Sequence, residues 1–354
     1  MTAWNGVITH PLPHHDENVA LLLLRDFGDM KYPGISRAIK NRSVVFLRED
    51  EFEKSVSEYE KDGWLVIGVG GGELDEHAAG GEGRKEGECA ATLVARKLGI
   101  DKLPELKKIL EYALAADLGN FNTLYSPEME PFRKANPKLF QQLVSDISML
   151  RGVDPDTSVK LIHEKNPDDP WVAINWDFET IEAKFAEQYE FHVVAPKEAE
   201  KATSENVGKL KVTVVESESP EVETFLRSNK GGRSSVVIKK SPKKGQVQVF
   251  TNKQLGISLS KAIALLRLLE IKANRRKDTP DFDELTREGT IESVPEWNYF
   301  KKAEMLLNGC HTAPHTVATK IPLKIISSAI RLVLLRDRTE QELRAFVNNF
   351  QPRS

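Results

Sequence analysis

The chain has 354 residues, 40% of them hydrophobic and 29% charged, with a net charge of −3. That length suits two domains with separate cores, and that charge excludes a global basic field of the kind that advertises nucleic acid, though not a local basic groove. The two cysteines, Cys89 and Cys310, exclude a disulfide framework and a cysteine-rich zinc module. No apolar run is long enough to span a bilayer, and the opening residues lack the basic and apolar regions of a secretory signal, so a cytoplasmic protein with no membrane partner is expected.

In chain order, Val7–Thr9 predicts a short strand that runs into a loop of His and Pro. A helix follows from about Asp16 to Phe27, with Val19, Leu22, Leu23 and Phe27 on one face. Ser43–Leu47 reads as a buried strand, Glu49–Lys61 as a helix with an acidic start, and Trp64–Ile67 as the next strand, which enters the glycine loop 68–72. Strands alternating with helices predict a parallel sheet. Helical patterns continue over Cys89–Leu98, Leu103–Leu118 and Leu139–Leu150, and Phe178–Tyr189 forms a further helix in a stretch rich in Pro and Asp. Beyond residue 205 the texture changes. Lys211–Val215 and Ser235–Ile238 read as strands, 242–245 as a turn, Gln246–Phe250 as the returning arm of a hairpin, and Leu259–Leu269 as a helix with Ser258 at its N-cap. Thr339 and Glu342 form a capping box for the last helix. The expected architecture is α/β: a parallel-sheet domain over 1–152, a helical connector over 153–204, and a smaller α/β domain over 205–354.

Four of the eight histidines fall in two loops, each just after a predicted strand. The first loop holds His10, His14 and His15 with Asp16 and Glu17; the second holds Asp75, Glu76 and His77 behind the glycines. The carboxyl ends of parallel strands are where an open α/β sheet binds its ligand. Imidazoles mixed with carboxylates suit a borderline divalent cation. The glycine loop also invites a dinucleotide reading, but Gly68-x-Gly70-x-x-Glu73 lacks the third glycine of that fingerprint.

The order of Thr9-His10, His14-His15-Asp16-Glu17, the strand ending at Gly68-Val69-Gly70-Gly71, Asp75-Glu76-His77, the small-residue helix after Glu88, and Ala116-Asp117-Leu118-Gly119-Asn120 resembles the DHH phosphoesterase superfamily. Within it the likeness is to the metal-dependent protein hydrolase group, the one typified by melanocyte proliferating gene proteins. The likeness covers about a third of the chain. It implies metal ligands at His10, His14, Asp16, Asp75, His77 and Asp117, with Glu76 and His77 acting in catalysis. It implies Mn²⁺ as the cofactor, with Mg²⁺ or Zn²⁺ as alternatives, and a C-terminal domain that holds the substrate. The chain departs from the pattern where Gly68 replaces a bridging aspartate, where Glu76 replaces a histidine, and where the His10–His14 spacing is one residue short. Glu76 is the candidate to fill part of the gap at Gly68, and Gly68→Asp is expected to raise Mn²⁺ occupancy.

In the C-terminal domain the candidate substrate residues are Arg233, behind a glycine pair, and His311 and His315. The basic run 272–277 and the aromatics Trp297, Tyr299 and Phe300 are candidates for backbone and base contacts, with a solvated face and core packing as the plainer readings. The expected function is a metal-dependent phosphohydrolase acting on a nucleotide, a short oligonucleotide or RNA. The alternative is a degenerate member that binds such a ligand without cleaving it. The expected partner is a phosphate-containing substrate, nucleic acid included; a homodimer stays open.

Overall fold

A computed structural model of the chain describes residues 3–77, 83–118, 134–135, 155–310 and 312–351. The helix expected over 139–150 and the residue His311 lie outside them. The chain is α/β and divides into two compact units, Met1–Gln188 and Tyr189–Ser354. Among the described residues no helix is long and apolar enough to cross a membrane.

The first unit is built on a three-stranded parallel sheet of β1 (Gly6–Thr9), β2 (Val44–Phe46) and β3 (Trp64–Val66), in the order β2-β1-β3. Val7 pairs with Val44 on one side and Leu65 on the other, so β1 is central and all four of its residues are buried. Parallel neighbours need crossovers. Helices α1 (His15–Phe27) and α2 (Ile35–Lys40) carry the chain from β1 to β2, and α3 (Val56–Lys61) carries it from β2 to β3. The expected helix over 49–61 is interrupted. Glu49–Glu51 forms a 3-10 turn, and Ser55 restarts the chain as α3 by donating its backbone N–H to the Glu58 carboxylate at 2.9 Å.

Helix α1 is apolar all round from Val19 to Leu24, and those six residues are buried accordingly. The small face of α4 (Ala90–Leu98), with Ala90, Ala91, Val94 and Ala95 fully buried, joins the same core. So does α5 (Lys107–Asp117) through Ile109, Leu110 and Ala113. The stretch 153–204, expected as a connector, is divided between the units. Helices α6 (Pro155–Lys165) and α7 (Trp171–Tyr189) fold with the first; Trp171, Ile174, Phe178 and Ile181 pack into its core.

The second unit carries the larger sheet. Its strands are β4 (Thr203–Val207), β5 (Leu210–Glu216), β6 (Val236–Lys240), β7 (Val247–Thr251), β8 (Gly289–Ile291), β9 (Val294–Phe300) and β10 (Met305–Leu307), in the order β4-β5-β6-β7-β10-β9-β8. Only β5 and β6 pair in parallel, with a helix over Val222–Arg227 between them. Helices Ser260–Ala273, Leu323–Leu335 and Glu340–Asn348 supply the apolar residues of its main core. The capping box at Thr339 and Glu342 forms as the sequence predicts. Several residues with a functional reading are structural here. Trp297 and Tyr299 are buried in the core, which leaves Phe300 as the exposed aromatic of the three. In the basic run, Lys272 donates to the carbonyls of Val347 and Asn348 at 2.8 Å, and Arg276 pairs with Glu296.

Candidate metal centre

Strands β1 and β3 are neighbours, and both end on the same side of the sheet. The chain leaves β1 through the loop 10–14 and leaves β3 through the loop 67–77. The second loop is closed by the Gly68 N–H donating to the Leu74 carbonyl at 3.0 Å. These loops line a cavity of about 670 Å³. Its wall holds His10, His14, Asp75, Glu76, His77 and Asp117. Among the described residues, three groups bring their candidate ligand atoms within 4.8 Å of one another inside the group: His14 with Asp16 and Glu17, Asp16 with Cys89 and Asp117, and Asp75 with Glu76 and His77. Buried carboxylate and imidazole clusters of this kind could hold a metal ion.

Each carboxylate is set by its local fold. His14 stands at the N-cap of α1, and its backbone N–H donates to the Glu17 carboxylate at 2.7 Å. That cap turns Glu17 back over the loop, beside Asp16. Asp16 is 2% exposed, and its Oδ2 faces the Ala90 N–H at the start of α4, at 3.3 Å. Asp16 and Glu17 lie side by side, and their mutual interaction raises the pKa of Asp16 while lowering that of Glu17. Asp75 is committed to its own loop. It accepts from the Gly71 N–H at 2.7 Å and the His77 N–H at 2.9 Å, and it pairs with His77 Nδ1 at 3.2 Å. Lys85 Nζ donates to the carbonyls of Gly72, Glu73 and Asp75 and fastens the loop from outside. Glu76 is 1% exposed; its Oε1 faces His77 Nδ1 at 3.2 Å, and its Oε2 has no hydrogen-bond partner among the described residues.

The electrostatics follow from this crowding. Burial, then the neighbouring Glu17 and Glu76 carboxylates, push the Asp16 pKa well above its usual value. Burial pushes Glu17 up to about 7 and also raises Glu76. Burial, Lys160 and His10 lower the His14 pKa, which keeps its imidazole neutral with a lone pair available. Buried carboxylates raised in this way lack compensating positive charge, and a bound cation would supply it.

The sequence-derived ligands are distributed unevenly over this geometry. His14, Asp75, His77 and Asp117 each belong to one of these clusters and Asp16 to two; His10 lines the cavity outside them, its ring 5.6 Å from that of His14. The His77 side chain is 52% exposed. Asp117 is ion-paired with Arg84, which also donates to the Glu88 carbonyl at 3.0 Å. Beside it, burial pushes the Cys89 thiol up to about 12. His15 faces the core, where Nδ1 meets both oxygens of the buried Asp177 at 2.9 Å. Arg233 and His315 belong to the second unit and are exposed; Arg233 Nε donates to Asn229 Oδ1 at 2.7 Å and closes its own turn at a positive φ of 56°.

Gly68 needs a correction. A methyl group on Gly68 would lie 2.8 Å from Glu17 Cγ and 3.1 Å from Glu17 Oε1, and the residue has φ +63°. The carboxylate that fills the space above Gly68 is therefore Glu17, from the first turn of α1, and not Glu76. Distance in sequence hid this, because Glu17 lies 51 positions away (68 minus 17). Arg48, Arg84, Asp156 and Lys160 also line the cavity. They lie outside the motif-bearing segments, and folding brings them in. No family model matches the chain, and no curated protein matches it.

Proposed function

We propose that the first unit is a metal-dependent phosphohydrolase whose substrate is a nucleotide, a short oligonucleotide or an RNA phosphoester. The observation that carries this reading is the set of buried carboxylates Asp16, Glu17 and Glu76, all raised in pKa, beside the neutral His14 at the carboxyl ends of adjacent parallel strands. His14, Asp16 and Glu17 form the principal ligand set, and Asp75, Glu76 and His77 a second. The mixture of oxygen and imidazole donors suits Mn²⁺, with Mg²⁺ and Zn²⁺ as alternatives. A divalent cation there would lower the pKa of bound water and neutralise phosphate oxygens. Asp75 keeps the glycine loop in shape. Glu76 Oε2, buried and without a partner among the described residues, would accept the proton of the attacking water, and the partly exposed His77 would exchange it with solvent.

A second reading, binding without hydrolysis, is favoured by one observation: Arg84 sits on Asp117 and supplies a cation at one of the candidate ligands. Metal analysis coupled to a screen of nucleotides and short RNA phosphoesters separates the two. Hydrolysis that requires Mn²⁺ and is lost in Asp16→Asn supports the enzyme. Tight metal and nucleotide binding without turnover supports the binder. A protein that takes up no divalent cation, or whose activity survives Asp16→Asn, excludes the enzyme; one that also binds no nucleotide or RNA excludes the binder.

A further inference from the structure

We propose that helix α6 supplies an anion subsite to this cavity, with Lys160 and Arg48 holding the phosphate group of the substrate; the proposal rests on the phosphohydrolase reading. Asp156, Lys160 and His163 occur at i, i+4 and i+7, which places them on one face of the helix. His163 is buried, and its Nε2 donates to the carbonyl of Pro13 at 3.0 Å. A carbonyl only accepts, so the proton is on Nε2. This bond fastens α6 to the loop that carries His10 and His14. With the helix held there, Lys160 and Asp156 line the cavity one and two turns away, respectively.

The charges then sort by what is already neutralised. Asp156 is buried and receives the Lys160 ammonium at 2.8 Å, so the lysine is aimed rather than free to sweep solvent. Its side chain is still 52% exposed, which leaves N–H donors for a ligand. Arg84 is committed to Asp117. Arg48 follows β2 directly, lines the same cavity, and its guanidinium has no carboxylate partner among the described residues. The glycine loop adds backbone donors. Gly68, Gly70 and Gly71 have φ of +63°, +80° and +70°, and the Val69 and Gly70 amides have no acceptor among the described residues. Amides in such turns, with a guanidinium and an ammonium nearby, recognise phosphate oxygens. The ligand class is a phosphate ester, whose oxygens the carboxylates alone would repel. A cation on those carboxylates makes the metal cluster and the anion subsite compatible in one cavity.

The test uses the full chain in two titrations by calorimetry: Mn²⁺ alone, then inorganic phosphate onto the Mn²⁺-loaded protein. Lys160→Ala and Arg48→Ala should bind Mn²⁺ as the natural protein does and lose roughly tenfold in phosphate affinity each, the scale of one charge-assisted contact. Lys160→Arg should recover most of the loss. Thermal melts equal to the natural protein's exclude misfolding, since alanine is a good helix former at a half-exposed position. Unchanged phosphate affinity in both variants, with Mn²⁺ binding intact, overturns the subsite and leaves the metal reading standing. If the natural protein takes up no Mn²⁺, the metal reading fails. Phosphate is then titrated onto the metal-free protein, where binding weakened by Lys160→Ala keeps the subsite and no binding removes it.

Discussion

A single methyl group at Gly68 should damage both the fold and the metal site. Gly68 has φ +63°, a left-handed conformation that costs an L-residue about 1–2 kcal/mol. The new carbon would stand 2.8 Å from Glu17 Cγ, inside normal contact distance, so the Glu17 side chain must move. Moving it breaks the 2.7 Å bond from the His14 N–H, a helix-capping interaction that contributes about 0.5–2 kcal/mol. Gly68→Ala should therefore destabilise the first unit by about 2–3 kcal/mol. It should also weaken Mn²⁺ binding, because Glu17 is displaced from Asp16 and His14. Urea unfolding gives the first quantity and a calorimetric titration the second. Gly68→Asp should behave like Gly68→Ala, and not raise occupancy as the motif comparison implies. Combining it with Glu17→Ala clears the space, and the double variant should bind Mn²⁺ better than Gly68→Asp alone. If Gly68→Ala keeps full stability and full Mn²⁺ affinity, Glu17 does not occupy the role assigned to it here.

Other outcomes follow from the same charges and contacts. Glu17 has its pKa raised from 4.5 to about 7, so its ionisation opposes folding: the penalty is absent below pH 4.5, grows between 4.5 and 7, and reaches about 3 kcal/mol above that by linkage. Metal-free Glu17→Gln should accordingly melt higher than the natural protein at pH 8 and equally at pH 4; equal melting at pH 8 would contradict the raised pKa. Mn²⁺ should raise the melting temperature of the natural protein, by about 2.7 kcal/mol of stability at a hundredfold excess over its Kd, and a chelator should reverse this. Asp177→Ala should cost about 1–3 kcal/mol by leaving His15 and Asn18 without their buried acceptor, yet leave Mn²⁺ stoichiometry unchanged. A changed stoichiometry would mean that His15 serves the metal.

The sequence was informative where the signal is local. The three strands of the first sheet, helix α1 and the Thr339 capping box are short-range patterns of apolar spacing and capping chemistry, and each is found within a residue or two of its expected place. Long-range pairing was less visible. Strands β8 and β10 have three residues each, too few to show an alternation, and β9 reads as an aromatic cluster until Trp297 and Tyr299 are seen in the core. The same limit applies to the site. The loops at His10–Glu17 and Asp75–His77 were legible because their residues are adjacent in sequence. Glu17 above Gly68, Arg84 on Asp117, and His163 on the Pro13 carbonyl are contacts across tens of residues or more, and neither motif nor period reports them.

Arg84 is the residue on which the two functional readings turn. Its guanidinium pairs with Asp117, the last of the motif carboxylates, and Asp117 also shares a cluster with Asp16 and Cys89. A permanent cation at that corner neutralises one carboxylate and leaves Asp16, Glu17 and Glu76 as the groups still short of positive charge. On the proposed reading, the arrangement favours one tightly held metal over two. A single ion polarises and activates water but does not clamp both the attacking and the leaving oxygen. The leaving oxygen must then be stabilised by protein donors, and Arg84 is a candidate if it exchanges Asp117 for the substrate. Arg84→Ala distinguishes the possibilities by opposite signs. If the arginine only blocks a second metal, Mn²⁺ stoichiometry rises toward two and hydrolysis is preserved or increased. If it serves the leaving group, hydrolysis falls while the first Mn²⁺ stays bound. An Arg84→Ala protein unchanged in both metal stoichiometry and hydrolysis would leave the ion pair with Asp117 as a purely structural contact.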